Sequence, residues 1–213
     1  MKPLSILQTM GMSRGAAQQR GLVLFFALIA LVAMSLAAIA LVRSVDTSTI
    51  ISGNLAFRQA ATTSGDGSVE NAITALTAMN VSSLNPFMDS GHPFNNTDAP
   101  AGYYSNADDT ALNLTASATW VDGISSPAVT DASGNTSRYI IQRMCRIENQ
   151  LLSKTNCLFS AEAKNKDGKE VLLPSNICEG PGCPKPGQSP VYRITTRVTG
   201  PKNTVSYVQA MVY

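Results

Sequence analysis

Residues 20–43 read RGLVLFFALIALVAMSLAAIALVR, and this stretch decides the architecture. Between Leu22 and Val42 lie 21 residues without a charge, and Ser35 is the only polar one. A helix of that length rises roughly 31 Å, enough to cross a bilayer core of about 30 Å. Lys2, Arg14 and Arg20 precede the run and no acid does. That asymmetry keeps the N-terminus cytoplasmic and sends everything after Arg43 to the far side. Removing those three from the 16 basic residues leaves 13 against 14 acidic ones, a balance of −1. No basic footprint for nucleic acid exists beyond the apolar run.

Three readings fit the run. It is an uncut signal anchor, a secretory signal cut after Ala38-Ile39-Ala40, or a retained helix behind a short leader. Secretory apolar regions span about 7–15 residues, shorter than this one. The third reading has a basic leader, residues 1–21, ending in Gly21 with the apolar helix following at once. This resembles the class III signal of type IV pilins. There a prepilin peptidase cuts on the cytoplasmic side, here between Gly21 and Leu22, and the helix is kept.

The sequence beyond Val42 stays compatible with a helix to about Ser64, with Ile50, Ile51, Leu55 and Phe57 among its apolar positions. Within it, Gly53-Asn54-Leu55-Ala56-Phe57-Arg58-Gln59-Ala60-Ala61 resembles the block of the PilX family of type IV pilus minor pilins, in which a Gly-Asn pair leads into an Arg-Gln-Ala turn. The resemblance covers Gln19 to roughly Asp66, returns weakly at the C-terminal hairpin, and is absent between. It implies an α+β pilin-like fold: a long N-terminal helix, membrane-spanning in its first half, packed on a C-terminal antiparallel β-sheet. It implies a leader over 1–21, the anchor and extended helix over 22–64, and a periplasmic head over 65–213. It also implies N-methylation at Leu22, no catalysis and no cofactor. The implied partners are other minor pilins, the major pilin, a tip adhesin, the prepilin peptidase and the inner membrane. The implied place is the inner membrane before assembly and the pilus tip or cell surface after it.

One position departs from the major pilins. Their fifth mature residue is usually glutamate, and here it is Phe26. A carboxylate in an apolar fibre core is costly unless paired. In major pilins the partner is the N-terminal amine of the preceding subunit, and a subunit placed first has none ahead of it. Phe26 therefore suits a tip subunit, or else is simply lipid-facing. The equivalent pseudopilin of a type II secretion system, and a bitopic periplasmic binding module, share much of this logic.

Gly65 and Gly67 interrupt the pattern, and Val69, Ala72, Ile73, Leu76 and Met79 resume it at helical spacing, so the sequence allows one helix with a weak spot or two helices. Residues 80–137 turn rich in Asn, Asp, Ser, Gly and Pro. Within them Leu112, Leu114, Ala116, Ala118 and Trp120 alternate, which predicts a strand with Trp120 in the core. Tyr139, Ile140 and Ile141 predict another. Residues 191–213 predict a hairpin around Gly200-Pro201-Lys202-Asn203. On its first strand Tyr192, Ile194, Thr196 and Val198 share one face, while Arg193, Thr195 and Arg197 share the other and are expected to face solvent or a neighbour.

Cys145, Cys157, Cys178 and Cys183 are separated by eleven, twenty and four residues, without a CxxC pair. Behind an export-type segment an even number predicts disulfides over zinc. Three connectivities are possible. Near neighbours and polar or turn-forming loops favour Cys145–Cys157 with Cys178–Cys183. No catalytic motif is present. His92 is the single histidine, between Gly91 and Pro93, and Asp89, Asp98, Asp108 and Asp109 lack any calcium-loop spacing. The four Asn-x-Ser/Thr matches, at Asn80, Asn95, Asn113 and Asn135, reflect composition.

Overall fold

A computed structural model describes residues 20–81, 84–169, 178 and 180–213. Residues 1–19, and with them Lys2, Arg14 and the body of the expected leader, lie outside the described residues. By its internal contacts the chain divides between Gly53 and Asn54.

The described part of the N-terminal unit, residues 20–53, is helical. It belongs to α1, Arg20–Asn80, which is unbroken over 61 residues. Every side chain from Leu22 to Gly53 except Gly53 itself is exposed, Leu, Val, Phe and Ile included. Ser35 donates to the Leu31 carbonyl at 2.8 Å, so even the one polar side chain of the run is satisfied within the helix. A helix apolar on all sides is one built to be surrounded, by lipid or by other helices.

The second unit is the head, and α1 residues 54–80 form one of its layers. The head face of α1 reads Ala61, Gly65, Ser68, Ala72 and Leu76, all buried and at spacings of three or four. The first four are small, and this lets the helix lie close to the sheet. A Cβ on Gly65 would stand 2.6 Å from Val208 Cγ2. Gly65 is therefore no helix breaker but the point of closest approach. Gly67 is exposed, and nothing lies within 4 Å of where its Cβ would be.

The sheet contains β1 (Tyr103–Tyr104), β2 (Val129–Thr130), β3 (Thr136–Arg143), β4 (Tyr192–Thr199) and β5 (Val205–Val212). Its spatial order is β1-β3-β4-β5, with β2 also on β3. All pairings are antiparallel except β1 with β3. The register sets Ile141 against Ile194 and Ile194 against Ala210. Ile141, Tyr192 and Ile194 meet Ala72, Leu76, Phe94 and Tyr103 in the core, with Val69, Ile73 and Met79 around them. Each fully buried isoleucine stabilises by roughly 1.5–3 kcal/mol.

The opposite face is not open. Residues 106–126 cover it. Arg138 pairs with Asp122 at 2.7 Å and donates to the Ser126 carbonyl at 2.8 Å. Arg193 donates to Gln142 Oε1 at 2.7 Å and pairs with Asp109. The expectation that Arg193 and Arg197 face solvent is thus corrected: both are half-buried. Alternation along β4 gave the sides rightly but carried no information about what a distant loop would lay over them. The strand expected over Leu112–Trp120 is also absent. Turns and a 3-10 segment, Ser117–Thr119, stand there instead. Trp120 is nonetheless buried, and its indole donates to the Leu114 carbonyl at 2.9 Å. The alternation was produced by consecutive turns, not by pleating.

Candidate functional site

The sequence-derived positions fall in separate places. Gly21, Leu22 and Phe26 occupy the first turns of α1; Leu22 and Phe26 are exposed, and Phe26 stands edge-on to Phe25 at 6.4 Å. Gly53, Asn54, Arg58 and Gln59 lie on α1 at the division between the units, and the last three are exposed. The carbonyls of Arg58 and Gln59 accept bonds from Thr62 and Thr63 at 3.0 Å each. The four cysteines lie far along the chain, in the head, paired as Cys145–Cys157 and Cys178–Cys183.

Loop-closure entropy ranks the two disulfides. They span 12 and 5 positions, worth about 3 and about 2 kcal/mol respectively. Replacing both Cys145 and Cys157 by alanine should cost more in chemical unfolding than replacing both Cys178 and Cys183. Equal costs would contradict the ranking. Peptide mapping without reduction reads the pairing directly.

Three of the four loop acids, Asp89, Asp98 and Asp108, serve a local backbone. Asp89 accepts from Gly91 N at 2.8 Å. Asp108 accepts from Thr110 N at 2.9 Å and from the Thr110 hydroxyl, which hold its carboxyl below the usual range. Asp98 caps a 3-10 turn, Ala99–Ala101. Asp109 is committed to Arg193. Among the described residues no three His, Cys, Asp or Glu side chains gather as metal ligands.

His92 is buried, and its Nδ1 accepts from Phe94 N at 3.0 Å, capping the turn Pro93–Asn95. Burial draws its pKa below the ordinary 6.5; Asp89 opposes this and Arg143 adds to it. The folded head keeps the imidazole neutral, while the unfolded chain takes up a proton below pH about 6.5. Stability present above that pH is therefore lost as pH falls towards the folded-state value, with a slope of no more than one proton. Urea unfolding between pH 7 and 5 should show this loss, and His92→Asn, which keeps a capping acceptor, should flatten it.

The least legible feature is Arg143. It is fully buried. Its Nε donates to the Ser105 carbonyl at 2.8 Å, Nη1 to Asn95 Oδ1 at 2.8 Å and Nη2 to the Gln150 carbonyl at 2.7 Å. Asn95 in turn donates to the Pro86 and Asp89 carbonyls at 2.9 and 2.8 Å. One guanidinium thus ties three loops to the end of β3. Gly102 is a second missed residue. It has φ +75°, and a Cβ there would stand 2.6 Å from Ser126 N and 2.7 Å from the Tyr139 carbonyl. Only the alternation break at Arg143 in an apolar strand hinted at the first; a lone Gly before two tyrosines gave no signal of the second.

A long N-terminal helix, apolar at its start and packed further along on a mostly antiparallel C-terminal sheet, is a pilin-like architecture. No protein-family model, curated protein or solved structure matches the chain.

Proposed function

We propose that this chain is a minor pilin of the PilX type, which helps start a type IV pilus and stands at or near its tip. Its role is structural rather than catalytic. The observation that carries the reading is the apolar segment of α1 that begins at Leu22, directly after Gly21, and is exposed on every side. The Gly53–Ala61 block, Phe26 and the two disulfides of an exported head support it. The peptidase cuts before Leu22, the helix anchors the subunit in the inner membrane, and other pilins replace lipid around it on assembly. Other minor pilins, the major pilin and a tip adhesin are its partners.

Mass spectrometry of the native protein should find Leu22 as an N-methylated first residue. Gly21→Val should block the cut, because the added side chain crowds the scissile bond. A chain beginning after Ala40 would refute this. Deletion should reduce pilus number; loss of secreted enzymes with pili intact would instead identify a pseudopilin. Phe26→Glu places a charge near the end of the apolar segment, where insertion survives. Tagged subunits in sheared fibres should move from the end into the shaft.

A further inference from the structure

Three arginines on the face of the sheet away from α1 differ in what they meet. Arg138, on β3, has Asp122 at 2.7 Å and the Ser126 carbonyl at 2.8 Å. Arg193, on β4, has Asp109 and Gln142. Arg197, on the same face of β4, has no acid partner among the described residues. Its Nε is closed to water and has no hydrogen-bond partner, while its two Nη groups are not closed off in this way. Arg138 and Arg197 are also direct partners across β3 and β4. Like charges so placed repel. Asp122 answers only one of them, so two guanidinium groups and one carboxylate leave a single positive charge. A buried donor without an acceptor costs stability as well. Both costs fall at one place, although the same face shows the remedy twice, in Asp122 and Asp109. Across β5, Tyr207 stands opposite Arg197 and is 46% exposed, its ring 5.9 Å from that of the buried Trp120.

We propose that Arg197 binds a carboxylate whose carrier rests on the Tyr207 ring. A single unanswered positive charge matches a monoanion, and a phosphate dianion would call for more donors than the face offers. The planar guanidinium takes a planar carboxylate through two parallel N–H groups. Turning the side chain to present Nε and Nη2 together gives Nε the acceptor that no group of this chain supplies. Arg138 stays with Asp122 and the Ser126 carbonyl, and adds attraction without a direct bond. The carboxylate belongs to a free organic acid or to an acidic side chain of another polypeptide, and both present the same group to the fork. Every residue of the site lies within the head, so the inference stands apart from the pilus reading.

The test is nuclear magnetic resonance of the full chain in detergent, with isotope-labelled arginine, at constant ionic strength so that screening does not change. The Arg197 Nε–Hε signal is assigned by its loss in Arg197→Gln. Butyrate serves as the free acid, a blocked valine–glutamate–valine tripeptide as the polypeptide form, and butyramide as the neutral control. At least one carboxylate should move the Arg197 signal downfield to saturation, and butyramide should leave it in place. The signals of Arg58 and Arg146, which are exposed, should not saturate with it. Either carboxylate saturating supports the site, and the one that half-saturates at the lower concentration identifies the carrier. No saturable shift with either, the same shift with butyramide, or equal shifts at Arg58 and Arg146 would overturn the proposal. A second measurement needs no ligand. Arg197→Gln removes the unpaired donor and the opposed charge, so its unfolding midpoint in urea should equal or exceed that of the parent. A lower midpoint would show that Arg197 serves the fold, and would also overturn the proposal.

Discussion

Replacing Arg143 with methionine is expected to lower the unfolding free energy of the head by about 3–5 kcal/mol. The side chain is fully buried, and each of its three donor nitrogens meets a neutral oxygen at 2.7–2.8 Å. Hydrogen bonds to a charged group contribute about 1.5–3 kcal/mol each, and orphaned buried acceptors cost a further 1–3. Methionine fills much of the volume, which offsets part of the loss. Burial lowers the pKa of Arg143, yet a guanidinium stays protonated at neutral pH, so the network is charge-assisted. Arg143→Lys should rescue little, because a single ammonium cannot reach three carbonyl-type oxygens set around a planar fork. With typical domain stability of about 5–15 kcal/mol, the methionine variant stands near the edge of folding. Urea titration of the full chain in detergent measures it. A loss under about 1 kcal/mol would show that the three loops hold their places without the guanidinium.

Gly65 and Gly67 should respond in opposite directions to the same change. Gly67→Ala meets open space, and alanine is favoured over glycine in a helix interior by about 1 kcal/mol. The variant should be stabilised by up to that amount. At Gly65 the new methyl would meet Val208 Cγ2 at 2.6 Å and Val208 Cβ at 3.3 Å. Overpacking of this kind costs about 1–3 kcal/mol, which exceeds the helical gain. Gly65→Val adds two more carbons against β5 and should cost more than Gly65→Ala. Thermal unfolding of the three variants gives the order Gly67→Ala, parent, Gly65→Ala, Gly65→Val, from most to least stable. If Gly65→Ala stabilises, α1 is free to lift away from β5, and the close approach is not needed by the fold.

These two experiments separate what is written locally from what is not. The apolar helix was legible because 21 uncharged residues leave a chain few choices, and a helix satisfies the backbone groups internally. The hairpin was legible for a similar reason. Pleating imposes a period of two, and Gly200-Pro201 ends the first strand where the pattern stops. The cysteine pairing was one of three possible connectivities, the one that short loops favoured, and the folded head holds it.

The sequence by itself determined the apolar helix at the start and the strand pair at the end, since each depends on neighbours in the chain. Only the tertiary structure decided the rest. Gly65 reads as a weak spot or a break until Val208, far along the chain, lies against it. Leu112–Trp120 reads as a strand until turns fold it over the sheet and bring Trp120 within 5.9 Å of Tyr207. Arg193 reads as a surface residue until Asp109, 84 positions away, covers it. Propensity and periodicity act over a turn or a strand, whereas burial is set by whichever distant segment arrives, and that is a property of the packed chain alone.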